Sequence, residues 1–114
     1  MRLYHNPRCS KSRATLALLQ EKGHQPEVIE YLQQPPSVAE LGRICQLLGK
    51  KPLELIRTGE DRFKELGLAK SDTRPDSDWL QLMHDNPILI ERPILVNEDR
   101  AAIGRPPEAV LDIL

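Results

Sequence analysis

A strand–helix–strand run at the start of the chain restricts the fold more than any other feature. Arg2–His5 reads as a short strand that Asn6-Pro7 stops, Ser10–Lys22 as a helix, and Val28–Leu32 as a second strand with β-branched and aromatic side chains. Ala14, Ala17 and Leu18 share one face of the helix, Leu16 and Leu19 widen it, and Gly23 caps its end. Two strands joined through a helix in this way lie parallel, with a right-handed crossover. A chain that begins so builds a sheet with helices packed on it, an α/β domain.

The remainder extends that plan. Pro35-Pro36 breaks the chain, and Ser37 with Glu40 carries the signature of a capping box. Val38, Leu41, Ile44, Cys45 and Leu48 follow at helical spacing until Gly49. Pro52 suits the first turn of a helix reaching Arg57, Glu60–Leu66 reads as a short helix, and Pro75–Asp85 as another with Trp79, Leu80 and Met83 on its apolar side. Ile88–Ile90 and Ile94–Val96 read as strand segments around Glu91-Arg92-Pro93. Asn97-Glu98-Asp99 is a polar turn, so Ile94–Val96 and Arg100–Ile103 form a hairpin, and Pro107–Ile113 is a last helix. The order is strand, helix, strand, a block of helices, then a hairpin and a final helix, which makes a mixed sheet with helices packed on it.

At 114 residues the chain suits one domain with one core. Its net charge of -1 provides no general field for nucleic acid or an anionic membrane. No apolar run approaches the roughly 20 residues that span a bilayer. The polar His5-Asn6 pair arrives too early for a signal peptide. Two cysteines are too few for a disulfide scaffold, so a reducing cytoplasm is the expected location. His5, His24 and His84 are scattered and show no metal-ligand spacing, so no metal is expected.

Cys9 stands where the first strand meets the first helix. Unpaired helix N–H groups and the helix dipole favour a negative charge there, which lowers a thiol's pKa. Arg8, Lys11 and Arg13 add positive potential, and His5 is placed to sit beside the sulfur. Ser12 occupies the second position of a Cys-x-x-Cys pattern, where its hydroxyl can donate to a thiolate. Cys45, in the apolar stripe beside Ile44 and Leu48, reads instead as a buried, inert thiol.

The segment from Tyr4 to Arg13, with Thr15-Leu16 after it, resembles the active-site segment of the glutaredoxin-dependent arsenate reductase family. The resemblance continues through Tyr31-Leu32, Pro35-Pro36, Leu55-Ile56-Arg57 and Glu65-Leu66-Gly67-Leu68. It ends with Pro87–Ile94 and Gly104-Arg105-Pro106, and so covers nearly the whole chain. The Arg8-Cys9-Ser10-Lys11 wording and the end at Leu114 are similar to the short chromosomal branch. The family implies a thioredoxin-like fold, a mixed four-stranded sheet with an inserted helical block, and attack of the Cys9 thiolate on arsenate to give a covalent adduct. It also implies that Arg57, Arg92 and Arg105 hold the oxyanion, and that Arg92-Pro93 is a cis peptide beside the site. Arginine offers a planar fork of donors that suits a tetrahedral oxyanion.

The same resemblance separates two designs. The phosphatase-like arsenate reductases need Cys-x5-Arg, and here the sixth residue after Cys9 is Thr15. With Ser12 in place of a resolving thiol, the electrons come from outside. That fits glutathione as reducing cosubstrate and glutaredoxin as partner, acting on a monomer with no bound cofactor. Two other functions are compatible with the residues. One is a monothiol glutathione-linked thiol transferase. The other is a regulator binding RNA polymerase, although such regulators usually carry the second cysteine that Ser12 replaces.

Overall fold

A computed structural model describes all residues, Met1–Leu114. The chain divides into two compact units, Met1–Gln34 with Arg92–Leu114, and Pro35–Glu91.

The first unit holds the sheet. Strands β1 (Arg2–His5), β2 (Glu27–Glu30), β3 (Ile94–Asn97) and β4 (Arg100–Ile103) lie in the order β2-β1-β3-β4. β1 runs parallel to β2, with Arg2 opposite Glu27 and His5 opposite Glu30. β3 runs antiparallel to both β1 and β4. This is the mixed sheet expected from the opening crossover and the late hairpin. The hairpin turn is tighter than the sequence suggested, because Asn97 still pairs with Arg100 and Glu98 adopts a left-handed backbone with φ 56°.

Helix α1 (Ser10–Glu21) connects β1 to β2. It ends in a Schellman arrangement: His24 N–H donates to Leu19 O, Gly23 N–H donates to Gln20 O, and Gly23 takes φ +86°. Its buried face differs from the expected one. Ala14 and Ala17 are exposed, and Ser12, Thr15 and Leu19 point inward. Hydrophobicity misassigned the face because both polar residues satisfy their hydroxyls locally. Thr15 Oγ1 donates to Lys11 O at 2.8 Å, and Ser12 Oγ bonds His5 and Asn6, so burial strands no polar atom. Leu3, Leu19, Leu95 and Val110 form the fully buried centre of this unit, with Met1, Leu16, Ala102 and Ile113 packed around them. Pro107–Ile113 is helical as expected, but of the tighter 3-10 form.

The second unit is the inserted helical block. Helix α2 (Val38–Leu48) opens with the complete capping box: Glu40 N–H donates to Ser37 Oγ at 3.1 Å, and Ser37 N–H donates to Glu40 Oε1 at 3.4 Å. A 3-10 turn at Pro52–Leu55, α3 (Asp61–Glu65) and α4 (Asp76–Asp85) follow. Phe63 stacks on Trp79 with centroids 6.4 Å apart, and Arg74, tied to Asp72, lies over the Trp79 ring. Ile88–Ile90 does not form a strand. Pro87–Leu89 is a 3-10 turn closed by its own hydrogen bonds, Leu89 N–H to Asn86 O and Ile90 N–H to Pro87 O. Only Ile90 pairs, in a single antiparallel bridge with Ile56. No helix in the chain is long and apolar enough to cross a membrane.

Candidate active site

Cys9 is the N-cap of α1, in extended conformation, with its N–H donating to Asn6 O at 3.0 Å and its carbonyl accepting from Arg13 N–H at 3.0 Å. The loop that carries it is fixed by short-range bonds. Asn6 Oδ1 accepts Arg8 N–H, and Arg13 Nη1 donates to Pro7 O, both at 3.0 Å. The thiol is only 9% exposed, more covered than a site for free disulfide exchange would suggest.

His5 and Ser12 do not act on the sulfur directly. Ser12 Oγ accepts Asn6 N–H at 2.9 Å and lies 2.7 Å from His5 Nδ1. Its hydroxyl is therefore committed to His5 and the loop backbone, which corrects the expectation that it donates to Cys9. His5 sits in the buried interior, and it touches Ser12 where contact with the sulfur was expected. Together the pair ties the end of β1 to α1 and holds the Cys9 turn through Asn6.

The His5 pKa lies below the ordinary histidine value because burial disfavours the imidazolium; the Glu30 charge opposes this and Arg13 reinforces it. The unfolded chain therefore takes up this proton first as pH falls. Its stability contribution is complete above the ordinary value of about 6.5 and is lost as pH drops through and below that range. Thermal midpoints at pH 8 and pH 5.5 should differ more in the native protein than in His5→Asn, which keeps a hydrogen-bonding partner for Ser12 but does not titrate. An equal difference in both proteins would refute the assignment.

Arg105 is the cation on the sulfur. Its Nη2 donates to Cys9 Sγ at 3.6 Å, and its Nε donates to Arg92 O at 2.7 Å. One guanidinium thus bridges the thiol and the end of the segment entering β3. Arg92 is half-buried, and the Arg92-Pro93 peptide is cis, as the resemblance implies; Arg105-Pro106 is cis as well. Gly104 makes the bridge possible. A Cβ there would collide with Thr15 Oγ1 and come 2.8 Å from Pro93 Cγ, while Gly104 N–H donates to Pro93 O at 2.9 Å. In the sequence Gly104 and Thr15 stand only among the motif residues of the resemblance, with no part in the site, since neither has a spacing signature of its own.

Arg57 belongs to the Pro35–Glu91 unit. Its N–H donates to Leu89 O at 2.7 Å, its Nη1 pairs with Glu60 Oε1, and its Nε lies 3.8 Å from Glu91 Oε1. Cys45, in the same unit, is 4% exposed; burial pushes its thiol up to about 11, with the Asp76 and Glu54 charges adding to the effect. At neutral pH it is a protonated, covered thiol and a poor nucleophile.

A mixed sheet in the order β2-β1-β3-β4, with a thiol at the N-cap of the helix after β1, defines a thioredoxin-like fold. The model of the ArsC family matches residues 4–113. An arsenate reductase of Haemophilus influenzae is 47% identical over 98% of this chain and 97% of its own length. An uncharacterized protein of Escherichia coli K12 is 50% identical, covering 100% of this chain and 96% of that one. The solved structure of an arsenate reductase from Vibrio cholerae superposes with a TM-score of 0.94 at 48% identity, covering 100% of this chain and 98% of the other. The chain belongs to the ArsC family.

Proposed function

We propose that this protein reduces arsenate to arsenite through Cys9, with glutathione and glutaredoxin as the source of electrons. The observation that carries this reading is the Arg105 guanidinium held 3.6 Å from the Cys9 sulfur at the start of a helix. A cation and a helix N-terminus together favour an arriving oxyanion. The relatives named arsenate reductase supply the substrate.

The chemistry balances in three steps. The Cys9 thiolate forms an S–As bond and one arsenate oxygen leaves as water after protonation. The thiolate of glutathione then attacks the Cys9 sulfur, forming a mixed disulfide. The S–As electron pair stays on arsenic, which is reduced from the +5 to the +3 state and departs as arsenite. Glutaredoxin resolves the mixed disulfide, and two thiols overall have supplied two electrons. Arg92 and Arg105 hold the oxyanion, and the family resemblance adds Arg57. The covered, protonated Cys45 supports an outside reductant. The reading includes a cytoplasmic, monomeric protein that binds no metal.

An assay coupling arsenate, glutathione, glutaredoxin and NADPH tests it. Arsenate-dependent NADPH oxidation is expected. Arg105→Ala should lower kcat/KM for arsenate about a hundredfold, because the charge nearest the reacting sulfur is lost. Full turnover in that variant would remove Arg105 from the mechanism. Reduction of a glutathionylated peptide, unaffected by loss of the three arginines and without arsenate turnover, would replace the reading with a thiol transferase. Stoichiometric capture of RNA polymerase without turnover would replace it with a regulator.

A further inference from the structure

We infer that Glu60 is a positioning residue for Arg57 and, through it, a determinant of oxyanion affinity; this rests on the proposed role of Arg57 as an oxyanion ligand. The backbone of Arg57 is fixed on both sides of the Ile56–Ile90 bridge, by Arg57 N–H to Leu89 O at 2.7 Å and Glu91 N–H to Leu55 O at 2.9 Å. Beyond it, the turn Arg57-Thr58-Gly59-Glu60 folds back, and Glu60 N–H donates to Arg57 O at 3.1 Å. Glu60 is the extended residue that precedes α3, and its carbonyl accepts Phe63 N–H, so its own place is set by that helix. Its carboxylate then takes Arg57 Nη1.

An exposed ion pair of this spacing would contribute little. This one is different in two respects. The side chains of Arg57 and Glu60 are only 26% and 25% exposed, and Glu91 Oε1 lies 3.8 Å from Nε on the other side of the guanidinium. Two carboxylates therefore hold the fork, Glu60 at Nη1 and Glu91 near Nε. An arginine head group held this way has few orientations left to it. Without Glu60 the head group has many rotamers to choose from, and binding an anion must first order it.

The test is steady-state kinetics with arsenate on Glu60→Ala, Glu60→Gln and Arg57→Ala, together with calorimetric arsenate affinity on a Cys9→Ser background. Glu60→Ala should raise KM and the dissociation constant about tenfold with kcat changed less than about twofold, because an ordering step is lost from binding and not from chemistry. Glu60→Gln retains an oxygen acceptor for Nη1 and should recover most of the lost affinity. Thermal midpoints of both variants identify any simple folding defect. Weaker binding in Arg57→Ala with normal affinity in Glu60→Ala would overturn the role of Glu60 alone. Equal losses in Glu60→Ala and Glu60→Gln would overturn the positioning argument. Normal affinity in Arg57→Ala would remove the oxyanion role of Arg57, and this inference with it.

Discussion

Replacing Cys9 by serine should reduce arsenate turnover by about a thousandfold or more, because the residue proposed to bond arsenic is gone and a hydroxyl is a far weaker nucleophile at neutral pH. The substitution is well suited to the question. Cys9 is the N-cap of α1 and makes no side-chain capping bond, whereas serine is among the preferred N-cap residues. The thermal midpoint of Cys9→Ser should therefore equal or exceed that of the native protein, which excludes unfolding as the reason for lost activity. Cys45→Ala provides the contrast. It removes a covered thiol outside the proposed chemistry and should retain turnover at some cost in stability. Wild-type rates in Cys9→Ser under the NADPH-coupled assay would end the proposal.

Gly104→Ala should be the most damaging single methyl addition near the site. The new Cβ meets Thr15 Oγ1 and Pro93 Cγ, both of which are held: Thr15 is wholly buried and bonded to Lys11 O, and Pro93 lies in the buried turn into β3. Relief requires the end of β4 to move away from α1, and overpacking of this kind costs about 1–3 kcal/mol. Arg105 is the next residue, so the same shift draws its guanidinium from Cys9 and should raise KM for arsenate. Calorimetric unfolding and kinetics measure the two effects. Thr15→Ala in the Gly104→Ala background should restore part of the stability, since it removes the nearer obstacle, and the two changes will not be additive. Unchanged stability in Gly104→Ala would show that the close approach has no structural weight.

The elements that sequence predicted well are those with local punctuation. Ser37, Glu40 and Gly49 bound α2 through their own hydrogen bonds and backbone preference, and the structure reproduces that helix at Val38–Leu48. The lone apolar run Ile88–Ile90 lacked such cues for a strand, and Pro87 drew it into a 3-10 turn. The α1 face was misread for a chemical reason. Hydrophobicity ranks alanine above serine and threonine, but a hydroxyl bonded within its own helix buries at little cost. At the site, the position of Cys9 was legible because strand ends and helix starts are local. The bridge from Arg105 to Cys9 was not, since it joins residues 96 apart in the chain and depends on a missing side chain at Gly104. Glu60 carried a faint signal in its spacing of three from Arg57, but that spacing is common on surfaces and gains weight only once both side chains prove to be covered.

The place of β1 in the sheet has a further consequence. It is paired along both edges, to β2 on one side and β3 on the other. Amide protons of an interior strand exchange with solvent only when a large part of the surrounding structure opens, whereas edge strands fray at lower cost. Leu3 and Tyr4, both almost wholly inaccessible, lie within that strand, and Cys9, the cap of α1, follows its last residue, His5, by four positions. The Cys9 sulfur thus follows directly on one of the two interior strands of its sheet, away from the edges that fray first.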